Sequence, residues 1–154
     1  MENICKKNNT QLFVDVTQSA GLLKMPELNY TFVGGAGYKW LCGPKGIGFL
    51  KIPLQFEIGS IAPVWPNWNA CVVPHQSYYG EHSFANDASR FDMSASWILM
   101  VGFHAALRSR RALGFNQTLE RLCDVGVFMR DEADRLQLQY LFADLQSNTA
   151  AAQR

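Results

Sequence analysis

A short apolar run that empties into glycine constrains this chain more than any other feature. Tyr30-Thr31-Phe32-Val33 leads directly into Gly34-Gly35-Ala36-Gly37, and Lys39 follows. A β-branched and aromatic run of this kind reads as a buried strand, and glycines at its end permit tight backbone turns. A second run, Gln11 to Val16, stops at polar Thr17-Gln18-Ser19 and carries Asp15 at its carboxyl end. Beyond Lys39, Gly43-Pro44-Lys45-Gly46 reads as a turn and Ile47 to Ile52 as a third strand. The order strand, loop, strand, loop, strand predicts an α/β fold with its polar residues gathered at the loops.

The remainder divides into one irregular stretch and two helices. Pro53 to Arg90 has little periodicity but many turn formers and aromatics, among them Pro63, Trp65, Pro66, Trp68, Pro74, Tyr78, Tyr79 and Phe84. A stretch of that kind is usually functional or packs on a partner. The Trp65/Trp68 and Tyr78/Tyr79 clusters read as loop packing or dimer contacts ahead of a substrate channel. Ser94 is the expected N-cap of a helix ending near Leu113 and closed by Gly114. Trp97, Ile98, Leu99, Met100, Val101 and Phe103 make its first half apolar all round, which predicts burial on most sides, with His104 a core residue. Arg108, Arg110 and Arg111 suit its C-terminus and read as a solvated face. Asn116 is the expected cap of a longer helix, whose Leu119, Leu122, Gly126, Met129, Ala133, Leu136 and Tyr140 form one apolar stripe. Arg130 with Asp134, and Asp131 with Arg135, are spaced as i,i+4 ion pairs. The tail from Gln146 to Arg154 reads as frayed.

The 154 residues suffice for one ordinary domain and are too few for two. Hydrophobic residues at 48% and charged residues at 18% describe a soluble globular chain, and a net charge of +1 gives no electrostatic basis for capturing nucleic acid or an anionic membrane. The most apolar stretch, Ala95 to Leu107, is short of the roughly 20 residues of a membrane span, and the N-terminus has no apolar signal-peptide core. The four cysteines, at 5, 42, 71 and 123, lie far apart with no CxxC spacing, so free thiols in the reducing cytoplasm are expected. His75, His82 and His104 have no partners at metal-ligand spacing. The glycine loops match neither G-x-G-x-x-G nor a Walker A loop, leaving nucleotide binding without support.

The chemistry therefore rests on Asp15, Gln18 and Lys39. Taken singly each has an ordinary explanation: a turn cap, a solvated amide, an exposed amine. Taken in order they place a carboxylate at the carboxyl end of one strand and a lysine in a glycine loop 24 residues later. That arrangement suits a site at the rim of an open α/β sheet. Asp15-Val16-Thr17-Gln18-Ser19-Ala20-Gly21 resembles the D-x-x-Q-S-x-G segment of the class V aminotransferase-fold enzymes, which bind pyridoxal phosphate. Gly37-Tyr38-Lys39-Trp40-Leu41-Cys42-Gly43-Pro44-Lys45-Gly46 resembles the lysine segment of the same family, in the family's order and near its spacing. Arg90-Phe91-Asp92, ahead of a Trp-containing helix, is similar to the R-F-E/D stretch opening the family's next helix. The resemblance runs from about Leu12 to Leu136.

The resemblance implies that Lys39 forms a Schiff base with the cofactor and moves protons at the substrate α-carbon. It further implies that Asp15 pairs with the pyridine nitrogen, that Gln18 hydrogen-bonds the ring's phenolic oxygen, and that the Tyr38 hydroxyl reaches the phosphate. The substrate would be an amino acid, the reaction transamination or C–S or C–N bond breaking, and the assembly a homodimer or a pairing with a complementing half-chain. Two departures stand out. Ala36 occupies a position where many relatives carry a phosphate-binding Ser or Thr, and Ser94-Ala95-Ser96 replaces the Gly-Thr after the R-F-E stretch. Arg-Phe-Asp-Met-Ser-Ala-Ser-Trp is closer to the R-F-D-x-S-P-A-W of a branch that includes the C–S lyases of ergothioneine synthesis. Set against the family's length, the chain reads as a partial large domain of PLP fold type I, the C-terminal half of its sheet, over residues 1–115. Residues 116–154 read as the long helix leading into a truncated small domain. The alternative expectation is a non-catalytic fragment serving as an interaction module.

Overall fold

The computed structural model describes residues 1–25, 27–65, 67–94 and 96–138. Ala95, Pro66, Tyr140 and the tail from Gln146 lie outside them. Three strands form one mixed sheet in the order β1-β2-β3: β1 is Leu12–Asp15, β2 Thr31–Ala36 and β3 Gly48–Lys51. β1 runs parallel to β2, with Leu12 opposite Thr31 and Asp15 opposite Gly34. β2 runs antiparallel to β3, with Val33 opposite Lys51 and Ala36 opposite Gly48. The central position of β2 explains its unbroken apolar sequence, because Thr31, Phe32, Val33 and Gly34 are all buried. The expected strand Ile47 to Ile52 is shorter, and all four residues of β3 are exposed.

Among the described residues the connection from β1 to β2 is built of turns and bends and has no helix. Its Val16 and Ala20 join Val33 in a small core, against which Val14, Leu28 and Leu41 pack. On the N-terminal side, helix α1 (Glu2–Lys7) docks through Glu2, whose Oε1 accepts from the Tyr30 N–H and the Thr31 hydroxyl, both at 2.7 Å.

Helix α2 spans Trp97–Leu113 and helix α3 Phe115–Arg135. Ser94 does not cap α2: after a short 3-10 turn over Ala88–Phe91 the backbone is extended at Asp92 and again at Ser96, which is the N-cap. Asn116 does not cap α3 either. Gly114 ends one helix and begins the next at φ +74°, a left-handed backbone that glycine adopts without a Cβ clash. The Thr118 hydroxyl then bonds back to the Gly114 carbonyl at 2.9 Å.

The first half of α2 is not buried on most sides. Trp97 is 76% exposed, Ile98 60% and Val101 63%, and His104 is on the surface. The helix is held by a narrower stripe, Leu99, Gly102, Phe103, Ala106 and Arg110, at spacings of three and four. Arg110 corrects the reading of a solvated arginine face. It is 5% exposed, donates to the Thr118 hydroxyl at 3.0 Å and bonds the Gly21 carbonyl, so it ties α2 to α3 and to the β1–β2 connection. On α3, Met129 and Leu136 of the expected stripe are exposed, and Arg135 pairs with Glu132 at 2.8 Å instead of Asp131.

Candidate functional site

Parallel pairing of β1 with β2 sends both strands out of the sheet at the same end. Asp15, the last residue of β1, lies in register with Gly34, and Lys39 follows five residues later in the loop that leaves β2. The structure thus brings Asp15 and Lys39 to one rim of the sheet, as the sequence order suggests. The two loops are joined directly. Ala36 N–H donates to the Thr17 hydroxyl at 3.0 Å, and Thr17 N–H donates to Asp15 Oδ1 at 2.8 Å. The hydroxyl and the N–H of Thr17, in that order, hold the exposed Asp15 carboxyl below the usual carboxylate range. The result is an anion of fixed orientation facing solvent.

Lys39 sits on a braced loop. Gly37 N–H donates to the Ile47 carbonyl, Gly43 N–H to the Gly37 carbonyl and Cys42 N–H to the Lys39 carbonyl, each at 2.8 Å. The Phe103 ring of α2 closes over the two feet of the loop: a Cβ on Gly37 would lie 2.8 Å from it, and one on Gly43 2.5 Å. These glycines serve close approach to an aromatic ring. Gly35 does the same for the Phe49 ring, which lies 3.2 Å from where its Cβ would be. Lys39 and Tyr38 are exposed, with the ammonium 5.4 Å from the Tyr38 ring centroid. Gln18 is exposed in the turn after β1.

Arg90, singled out by its motif, has a structural placement. Its Nε donates to the Ile61 carbonyl at 2.8 Å and its Nη1 to the Ala85 carbonyl at 3.1 Å, while the guanidinium lies 5.2 Å from the Phe84 ring centroid. It staples the irregular stretch that precedes α2. Within that stretch Trp68 packs on Tyr78 at 5.4 Å between centroids, which bears out loop packing, while Trp65 and Tyr79 face solvent. All four cysteines are free thiols, with Cys71 buried and Cys42 exposed. Among the described residues no helix is long and apolar enough to cross a membrane. Sequence reasoning missed Thr17. The available signal was the D-x-T pattern itself, since an Asp side chain bonding the N–H two residues on is a common local turn.

No protein-family model matches the chain, and no curated protein matches it. A solved structure does: the apo cysteine desulfurase from Thermococcus onnurineus NA1 superposes with a TM-score of 0.75 at 20% identity, covering 92% of this chain and 35% of the desulfurase chain. The chain therefore has the fold of about one third of that protein. This agrees with the partial PLP-enzyme fold that the motifs imply.

Proposed function

We propose that this chain carries the lysine-and-carboxylate part of a pyridoxal phosphate site acting on an amino acid, by transamination or C–S or C–N bond breaking. The observation that carries the reading is the shared rim: Asp15 and the lysine loop leave parallel neighbours at the same end and are tied together through Thr17. The residues present fit the ring end of the cofactor, with a fixed carboxylate for a protonated ring nitrogen and an exposed amine for an aldehyde. They do not fit a glycine cradle for its phosphate, because aromatic rings fill the space beside Gly35, Gly37 and Gly43.

When bound, pyridoxal phosphate supplies an aldehyde that reacts with amines and a ring that withdraws electrons from a substrate α-carbon. Asp15 would hold a proton on the ring nitrogen, Gln18 would donate to the phenolic oxygen, and Tyr38 would bond the phosphate. The Lys39 amine would take up and return a proton at the substrate α-carbon. The test is an absorbance titration with pyridoxal phosphate. A saturable visible band in the wild type that is lost in Lys39→Ala supports the reading, and an identical band in both contradicts it.

A second reading, in which the chain serves as an interaction module, is favoured by the exposed Trp97, Ile98, Met100 and Val101 on α2. In both readings the partner is a second copy or a complementing half-chain that covers this surface.

A further inference from the structure

Thr17 is the first residue beyond the parallel ladder of β1 and β2, and the ladder ends there in an unusual way. Val16 N–H still donates to the Gly34 carbonyl at 2.8 Å. A parallel ladder would continue with Ala36 N–H donating to the Val16 carbonyl. That carbonyl has turned away, accepting from Ser19 N–H at 3.0 Å and Ala20 N–H at 2.7 Å to open the next turn. The Thr17 hydroxyl takes its place and receives the Ala36 N–H at 3.0 Å. The substitution changes the chemistry, because a hydroxyl has a proton to give and a carbonyl has none.

We infer that Thr17 is the positioning residue of this site, its hydroxyl standing in for the Val16 carbonyl to hold the start of the lysine loop while its N–H holds the Asp15 carboxylate. The inference rests on the reading of Asp15 and Lys39 as parts of one cofactor site. Two further facts agree with it. The Thr17 N–H donates to Asp15 Oδ1 at 2.8 Å, so the same residue fixes the carboxylate from the backbone side. Thr17 N also lies 3.2 Å from where a Cβ on Gly35 would sit, so the turn after β1 approaches β2 closely at this glycine. The Asp15 carboxyl answers first to the Thr17 hydroxyl, then to the Thr17 N–H, with desolvation opposing them.

The test compares Thr17→Val, which keeps the shape and removes the hydroxyl, with Thr17→Ser, which restores the hydroxyl, in the full chain; Thr17→Ala replaces the valine variant should that not fold. Three quantities are read: amide hydrogen exchange at Ala36, the NMR titration of the Asp15 carboxyl, and pyridoxal phosphate affinity by absorbance. In Thr17→Val, Ala36 exchange should quicken about tenfold, the loss of one hydrogen bond. The Asp15 midpoint should rise toward the ordinary value and cofactor affinity should fall, and Thr17→Ser should restore all three. Unchanged Ala36 exchange and Asp15 titration in Thr17→Val, or a serine variant that behaves like valine, overturns the inference. So does a general rise in exchange with lower melting temperature and an unmoved Asp15, since that marks a merely structural threonine. If the first two quantities respond as expected while the wild type binds no cofactor, the positioning role stands and the cofactor reading alone falls.

Discussion

Asp15 keeps its charge to lower pH than a free aspartate because Thr17 donates to it, and this sets what its removal should do. Asn in its place still offers an oxygen to the Thr17 N–H, so Asp15→Asn should fold, melting somewhat below the wild type at neutral pH where the stabilising charge is lost. It should bind pyridoxal phosphate at least about tenfold more weakly, the scale of one lost charge-assisted bond. Equal affinity would remove Asp15 from the site. Glu2 is another constrained carboxylate, held below its ordinary 4.5 by the Thr31 hydroxyl and then the Tyr30 N–H. Because the folded value is the lower one, the stability it gives is complete above the ordinary value and is lost as pH falls through the folded value. Glu2→Gln should therefore melt below the wild type at neutral pH, with the difference shrinking as pH falls through the folded value, as calorimetry would read. Asp15 was legible because a carboxylate closing an apolar run stands out in the sequence. Glu2 was not, since its partners lie 28 and 29 residues away and nothing in a short polar N-terminus announces them.

At the scale of elements the lysine loop and α2 form one unit. Phe103 presses on Gly37 and Gly43, Leu99 lies 3.0 Å from where a Cβ on Gly46 would sit, and Gly102 faces Pro44. A Cβ on Gly43 would also come within 2.9 Å of the Gly37 carbonyl, which is backbone and cannot swing aside. Gly43→Ala should cost about 1–3 kcal/mol, the range for overpacking a fitted contact, and lower the melting temperature accordingly. A melt unchanged from the wild type would show that the loop is looser than this packing implies. β2 was legible from its apolar run because a central strand is covered on both faces. The burial of α2 was not, because an all-apolar segment looks the same whether neighbours cover all of it or only the stripe through Leu99, Phe103 and Arg110. The turn-built connection between the parallel strands was also missed as a connection, its Val16 and Ala20 buried without helical periodicity.

For the whole molecule, Arg110 is the clamp that sequence pattern could not reveal, since a basic helix end ordinarily points to water. Arg110→Ala removes the donors to Thr118 and Gly21 and should cost about 1.5–3 kcal/mol, and Arg110→Lys should recover little because one ammonium cannot reproduce the guanidinium fork. Trp97, Ile98, Met100 and Val101 leave an exposed apolar face on α2, so light scattering should find concentration-dependent self-association. A clean monomer at all concentrations would contradict a partner-covered surface. The central claim is that Lys39 and Asp15 share one cofactor site, and the most direct measurement is where the cofactor attaches. Incubation with pyridoxal phosphate, borohydride reduction and peptide mass mapping should place the pyridoxyl group on Lys39, and in Asp15→Asn its yield at limiting cofactor should fall. A label spread over Lys6, Lys7 and Lys24, or one on Lys39 that is indifferent to Asp15, would contradict the claim.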